Sequence, residues 1–436
     1  MKINLPSLLI TCEVRGDTRR YRSLHLLEQL NFLGITCRFL HLADLSQVDP
    51  AVFRWDMIVF QRAAYGQRIR KLMDYYMRRG TVIFSDFDDL IFDIGMFQHI
   101  NSPDFVDPIR SYLYKKTMQN IHITLQRSEG SLASTEFLAA RIRKEGKPAW
   151  VHRNAFSLEM LRAAENARLE KKRHHKRNTL VIGYASGTPT HNRDFEMIKP
   201  ALLEVMRKHP QVELHLVGPL DVGEGWGTLS ERIRHFPLVP WRDLPFLLAG
   251  FDLNLAPLVM DNPFAQSKSE IKWMEAAMVE TPTIASPTDA FRFSIRHQEN
   301  GWLAETGEDW KNGLDALIQD HSLRENLARQ AYDDVHRHYH PAKRAEDLAK
   351  TLNEIFMALR GRPFFPGDIP TREEMMDRIE ERGSGHEWVP AKYERDPSYF
   401  KLGFYALRNR GVKSLLMSAW VWFRRMIAPI FPFRKL

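Results

Sequence analysis

The stretch SKSEIKWMEAAMVETPTIAS, Ser267 to Ser286, opens on small polar residues, runs through an apolar helix body and passes by Thr281 and Pro282 into a short buried strand. At the start of such a helix the first backbone N–H groups have no partner within the helix, and with the helix dipole they suit a diphosphate. Lys268 and Glu275 are seven residues apart, two helical turns, so they lie on one face. That face suits Lys268 to phosphate oxygens and Glu275, deeper, to ribose hydroxyls. The same pattern equally describes a capped amphipathic helix whose Lys268 and Glu275 face solvent.

Around this unit, short apolar runs alternate with amphipathic helical spans, the signature of βαβ units and a parallel sheet. Downstream of residue 178 the expected order is strand Leu180–Tyr184, helix Asp194–Lys208, strand Glu213–Val217, helix Trp241–Leu248, strand Leu253–Ala256, helix Ser269–Val279 and strand Thr283–Ala285. Helices at Trp310–Gln319 and Leu323–His338 follow, and Ala342–Leu359 is expected to return toward the first half. Upstream, Leu8–Val14, Thr36–Leu42, Met57–Gln61, Thr81–Ser85, Ile121–Leu125 and Ala149–His152 read as strands. Helices are expected at Tyr21–Leu33, at the basic Ile69–Arg79 and near Arg110–Gln119. The charge run ENARLEKKRHHKRN, Glu165 to Asn178, resets the pattern and reads as a solvated helix end and linker. The expected fold is α/β: Rossmann-like domains over 1–164 and 179–341 facing a cleft, a basic linker over 165–178, a return helix over 342–365 and an extension over 366–436.

A chain of 436 residues exceeds one ordinary core, and 44% apolar with 27% charged residues is the composition of a folded protein. Its formal charge of +8 is concentrated: Lys401, Arg408, Arg410, Lys413, Arg424, Arg425, Arg434 and Lys435 stand in a tail without Asp or Glu, so the rest of the chain is neutral. Trp420, Trp422, Phe423, Phe431 and Phe433 interleave with these cations, the mixture by which an interfacial helix binds an anionic membrane surface. Segment 399–436 is assigned that role; nucleic acid is not expected as a partner, and a helix docked on the protein's own body is the alternative. Cys12 and Cys37 sit in apolar runs without metal spacing and read as reduced core residues of a cytoplasmic protein. The first residues read as a strand rather than a signal peptide, and no apolar run reaches the roughly 20 residues of a membrane span.

In the first half, DFDDL at Asp86–Leu90 is an Asp-x-Asp at a strand end, fit either for a divalent metal on a diphosphate or for capping a helix. Gly16 to Arg22 follows the first strand and opens a helix, as a ligand-facing βα loop or a generic one. Asn154 is a cleft residue or a turn. His174 and His175 have no partners at metal spacing and read as solvated linker.

Glu275 to Ser286 resembles the glutamate, small residues, Thr-Pro and strand that mark family 4 of the retaining glycosyltransferases. IGYASGTPTHNRDF at Ile182–Phe195, ELHLVGPL at Glu213–Leu220, VPWRDLPFLLAGFDLNLAPL at Val239–Leu258 and ENGWLA at Glu299–Ala304 resemble the same family in order and spacing. YRSLHLLEQLNFLG, FSDFDDLIFD and WVHRNAF resemble its first domain more loosely. The resemblance implies a GT-B fold and transfer of a sugar from a nucleotide-diphosphate donor, with retention and without metal or cofactor, to a glycan or lipid-linked acceptor. With the basic tail it implies bacterial surface polysaccharide assembly, of O-antigen or capsule type, at the inner face of the cytoplasmic membrane.

Carried over by position, Glu275 matches the glutamate that holds the ribose, and Ser267 stands where the family has a second glutamate. The loop Ser186, Gly187, Thr188, Pro189, Thr190 and His191 replaces the family's usual Arg and Lys, so Lys268, Arg193 or His191 is expected to supply the cation for the leaving diphosphate. Glu270 is expected to take over part of the missing acid's sugar contact, and Ser269 to join the donor site. Gly218 and Pro240–Trp241 match loops whose backbone meets the nucleotide, with Trp241 either stacking on the base or filling core. Gly16 matches the glycine loop, and Asp88 stands about where the family carries a cleft-facing histidine. A metal-dependent transferase using Asp86 and Asp88, or an inactive GT-B-like scaffold, are the alternatives.

Overall fold

The computed structural model describes residues 6–47, 54–174, 178–382 and 388–396, with isolated positions 412, 416, 417 and 419. The first sheet contains β1 (Ser7–Cys12), β2 (Thr36–His41), β3 (Met57–Gln61), β4 (Val82–Phe87), β5 (Gly130–Ala133) and β6 (Ala149–Val151). The second contains β7 (Leu180–Ala185), β8 (Val212–Val217), β9 (Ile233–Phe236), β10 (Leu253–Ala256), β11 (Thr283–Ala285) and β12 (Trp302–Leu303). All pairings are parallel, in the orders β2-β1-β3-β4-β5-β6 and β12-β11-β10-β7-β8-β9. Parallel strands covered on both faces read as continuous apolar runs, and every residue of β3 and β4 is buried.

Each order reverses once, between β1 and β3 and between β7 and β10. In such sheets a ligand crevice opens outside the carboxyl ends of the strands at that reversal. Here those ends deliver the segments beginning at Glu13, Arg62, Ser186 and Pro257.

Several elements depart from the sequence reading. The span expected to be a helix near Arg110–Gln119 and a strand at Ile121–Leu125 is one helix, Pro108–Arg127, started by the Asp107 cap and Pro108. Met118, Ile121, Thr124 and Leu125 are its buried residues, a helical spacing that the β-branched composition disguised. The strand lies after it, at Gly130–Ala133, where a Cβ on Gly130 would come within 2.6 Å of the Phe84 ring. Helix Glu136–Lys144 and the half-exposed edge strand β9 were not anticipated. The helix expected from Trp241 begins at Leu244, leaving Trp241 in a loop. The charge run is not a linker through His174, because helix Leu158–His174 continues to that point. Ala164 and Ala167 bury one face of it, Lys171 Nζ donates to the Glu280 carbonyl (2.9 Å) and Thr281 Oγ1 (3.0 Å), and Arg168 meets Glu280 at 2.9 Å.

Helix Pro341–Arg360 sends Ala345, Leu348, Leu352, Ile355 and Phe356 into the core of the first sheet. Phe364, Met375, Ile379 and Trp388 continue that packing, with Trp388 edge-on to Phe32 at 4.6 Å. The membrane-surface segment 399–436 lies outside the described residues apart from the isolated positions. Among the described residues, no helix is long and apolar enough to cross a membrane.

Candidate active site in the interdomain cleft

After β1 the chain enters a continuous helix whose middle, Arg20–Leu24, is a π-helical turn between Gly16–Arg19 and His25–Phe32. Such one-turn insertions re-aim side chains and concentrate at functional sites. Here three consecutive buried residues diverge. Arg20 bonds Asp17 and lies over the Trp241 ring at 4.9 Å, Tyr21 donates to Glu275 Oε1 at 2.7 Å, and Arg22 pairs with Asp86.

Arg22 and Asp86 are each about 1% exposed. Arg22 Nη1 also donates to the His152 carbonyl (2.6 Å) and Asn154 Oδ1 (3.1 Å), and Asn154 Nδ2 donates to Ser269 Oγ at 2.9 Å. A polar chain thus runs from the end of β4 into the second domain. Burial raises the Asp86 pKa against the opposing pull of Arg22. Asp86 is therefore neither metal-facing nor a helix cap: its carboxylate is spent on a buried guanidinium, and a buried pair resists opening because either charge alone is costly.

The next two acids belong to Arg62, which follows β3 with a φ of +46°, uncommon for a side chain with a Cβ. Its guanidinium forks to Asp88 and Asp89. Lys268 Nζ reaches Asp89 Oδ1 across the cleft at 2.7 Å. Burial works to raise Asp89, yet Lys268 and Arg62 together hold it below the usual carboxylate range.

On the second domain, helix Ile271–Ala277 carries Lys272 and Glu275 one turn apart. Burial pushes Glu275 up, while Arg20 and the Tyr21 hydroxyl oppose the rise. Lys272 Nζ donates to the carbonyl of Ala185, the last residue of β7, and lies over the Tyr184 ring at 5.0 Å. Burial lowers Lys272 to about 8; Glu275 and Asp194 oppose the fall and Lys268 adds to it. The following loop is folded on itself: Ser186 Oγ donates to the Thr188 carbonyl (2.8 Å), and Gly218, at φ +92°, leaves only 1.9 Å between a Cβ and the Ser186 carbonyl oxygen. Only glycine fits there. His191 Nδ1 pairs with Asp194 Oδ2 at 2.8 Å, and burial lowers its pKa against Asp194 while Lys272 and Lys268 lower it further.

Glu275, Ser269, Lys268, Asp88, Ser186 and His191 are thus brought to one cleft, with Gly187 and Thr188 exposed beside it. Gly16 has a φ of +66° and open space at its Cβ. Arg193 and Pro240 are exposed; Trp241 is half-buried between Arg20 and Arg242, whose guanidinium lies 4.3 Å from its ring. Two assignments are corrected. Ser267 is fully buried and donates to the Phe264 carbonyl at 2.7 Å, closing the short helix before it. Glu270 is fully buried, accepts from Tyr339 at 2.7 Å and lies 3.6 Å from Arg153, so it ties the second domain to the returning chain rather than meeting a sugar. Tyr21, Arg62 and Lys272 were missed as site residues. For Lys272 the signal was present, since it lies four residues from Lys268 and three from Glu275.

Two parallel Rossmann-like sheets facing a cleft, with a late helix packed back on the first, make this a GT-B fold. HepE from Anabaena in complex with UDP is a similar solved structure, at 15% identity and a TM-score of 0.53, covering 80% of this chain and 100% of that one. Sucrose-phosphate synthase from Thermosynechococcus elongatus is similar at 13% identity and a TM-score of 0.56, covering 81% and 100%, and a glycosyltransferase from Rickettsia africae at 14% and 0.56, covering 81% and 99%. No curated protein matches the chain in sequence. Residues 196–350, which hold Gly218, Trp241, Lys272 and Glu275, match the family described as glycosyl transferase-like. The GT-B fold expected from the sequence is the one these solved structures share, and the family match is confined to the second domain and the start of the returning helix.

Proposed function

We propose that the chain transfers a sugar from a nucleotide-diphosphate donor to a glycan or lipid-linked acceptor in this cleft. The observation that carries the reading is the meeting of Tyr21, from the first sheet's strand ends, with Glu275, beside a cluster of Lys268, Lys272 and His191 at the end of β7. The UDP held by the similar Anabaena HepE structure supports a nucleotide as ligand of this fold.

Transfer breaks the bond from the anomeric carbon to the diphosphate and forms one to the oxygen of an acceptor hydroxyl, whose proton passes to the departing diphosphate. It requires orientation, stabilisation of an oxocarbenium-like sugar and neutralisation of the departing diphosphate, all matters of position and electrostatics. In this reading Glu275 accepts from ribose hydroxyls, the cations of the second domain meet the phosphates, and Asp88, steadied by Arg62, addresses hydroxyls of the sugar or acceptor. The reaction proceeds with retention and without metal; the engagement of Asp88 and Asp89 by Arg62 supports the latter. The basic, aromatic tail supports work at an anionic membrane surface, in bacterial surface polysaccharide assembly at the inner face of the cytoplasmic membrane.

The test is a thermal-shift panel of UDP, GDP, dTDP and CMP followed by assay of donor hydrolysis, because a ligand that binds only the folded chain raises its melting temperature by mass action. A shift with one nucleotide and slow hydrolysis of the matching sugar donor is expected. Binding without turnover would favour the inactive scaffold, and no shift with any nucleotide would remove the reading.

A further inference from the structure

We infer that Lys272, rather than Lys268, is the cation that meets the diphosphate of the donor. The inference rests on the reading of the cleft as a nucleotide-sugar site and assigns one role within it.

Three basic groups gather around the end of β7, close enough for Lys268 and Lys272 both to depress His191. Two of them are matched by a carboxylate. His191 pairs with Asp194 at 2.8 Å, and Asp194 is further fixed by accepting the Val259 N–H at 3.0 Å. Lys268 pairs with Asp89 at 2.7 Å, on the opposite domain, and Asp89 is shared with Arg62. Lys272 forms no ion pair among the described residues; its ammonium rests on one neutral carbonyl, that of Ala185, and on the Tyr184 ring face. A carbonyl leaves two of the three ammonium donors available to an incoming anion. A half-buried cation without its own carboxylate gains most from a dianionic partner, since the partly desolvated charge is then compensated.

Placement agrees with this charge distribution. The Ala185 carbonyl lies at the strand reversal between β7 and β10, and the next residues, Ser186 to Thr188, form the exposed loop over which Gly187 leaves open space. Glu275 stands three residues beyond Lys272 on the same helix, a rise of about 4.5 Å at 1.5 Å per residue. One helix turn would then present a phosphate cation and a ribose acceptor at the short spacing that joins those groups in a nucleotide. Lys268 lies in the loop before this helix and is drawn toward the first domain, where its charge is taken up by Asp89.

The experiment is calorimetric titration of the full chain and of K272M, K272R and K268M with UDP, GDP and ADP, and with the corresponding nucleosides. For the diphosphate that the wild type prefers, K272M should lose about tenfold to a hundredfold in affinity, the range of a charge-assisted hydrogen bond. Its nucleoside affinity should not change, and K272R should recover part of the loss. K268M should weaken diphosphate binding by less than K272M. The assignment is overturned if K272M, melting as the wild type does, binds the diphosphate equally well, or if K268M suffers the larger loss. If K272M fails to fold, the uncharged K272Q takes its place, and a diphosphate affinity equal to the wild type in that variant also overturns it. Should the wild type bind no nucleoside diphosphate, the glycosyltransferase reading itself falls and takes this role with it, an outcome distinct from selective failure of the variants.

Discussion

The Tyr21 hydroxyl donates to Glu275 Oε1 at 2.7 Å across the cleft, so a side chain of the first domain holds the carboxylate that the proposed ribose contact uses. The bond joins a π-helical turn after β1 to the helix before β11, 254 residues apart in sequence. Tyr21→Phe removes one hydrogen bond and leaves Glu275 half-buried without it, which should weaken donor affinity by about 1 kcal/mol. Glu275→Gln removes the charged acceptor itself and should cost about 1.5–3 kcal/mol in kcat/KM, with the melting temperature nearly unchanged. In the double variant the two losses should fall short of their sum, because the residues touch. Strict additivity, or unchanged kinetics in folded single variants, would separate Tyr21 and Glu275 from the donor.

A second carboxyl group offers a pH test of stability. Glu28 is buried, and burial pushes its pKa up to about 8, against the Leu158 N–H that donates to it. Its ordinary value is 4.5, so the unfolded chain is ionised above that pH while the folded chain keeps the proton. For a raised folded pKa the contribution is fully present below the unfolded value and is lost as pH rises through the folded one. Wild-type stability should therefore lose ground between about pH 4.5 and 8 through this residue. Glu28→Gln, neutral at every pH, should be more stable than the wild type at pH 8 by at least about 1 kcal/mol, with the advantage shrinking toward pH 5. Urea unfolding at the two pH values measures it. A pH-independent difference would mean that the side chain acts by shape alone.

Chelation tests the acids on the other side of the cleft. Arg62 forks onto Asp88 and Asp89, and Lys268 completes the shell of Asp89, so a divalent ion binding there must displace cations that already neutralise these carboxylates. Turnover in excess EDTA should match turnover without it to within about twofold, a difference under roughly 0.5 kcal/mol in barrier. If activity vanishes and manganese restores it, Asp88 and Asp89 become ligands. Arg62 would then be the residue that the metal releases.

These acids mark how far the sequence could be read. Alternating apolar runs and helical spans gave the strands of both sheets apart from β5, β9 and β12, since each of the others carries its own local signal, and the Ser267–Ser286 stretch placed Glu275 where the cleft forms. The Ile121–Leu125 run failed because β-branched residues fit the buried stripe of a long helix as well as a strand, and the deciding cap lies at Asp107, well upstream. Asp86 looked like Asp88 in DFDDL, yet its partner Arg22 is 64 residues away and Asp88 belongs to Arg62. Ser267 and Glu270 sit one to three residues from true cleft residues and point into core, a distinction that rests on where a short helix begins. Which of two adjacent polar residues is buried depends on long-range packing, and spacing alone does not carry that information.

The last prediction concerns the tail. Removing residues 400–436 should leave a folded chain that no longer sediments with anionic liposomes. All the net charge lies in this segment together with Trp420, Trp422 and Phe423, and each Lys or Arg near an anionic surface contributes about 1 kcal/mol, an attraction that salt screens. The cut spares the described anchors before it. Arg19 meets Asp396 at 3.0 Å, Arg242 meets Glu394 at 2.9 Å, and Trp388 packs on Phe32, so the seam between residues 388–396 and the body survives. The donor residues lie in the body as well, and activity on a short soluble acceptor should persist while activity on a lipid-linked one falls. Raising salt should mimic the truncation for liposome binding and leave soluble turnover unchanged. If the truncated chain instead aggregates or melts far earlier, the tail's aromatic residues pack on the body, and the helix docked on the protein itself replaces the membrane surface as its role.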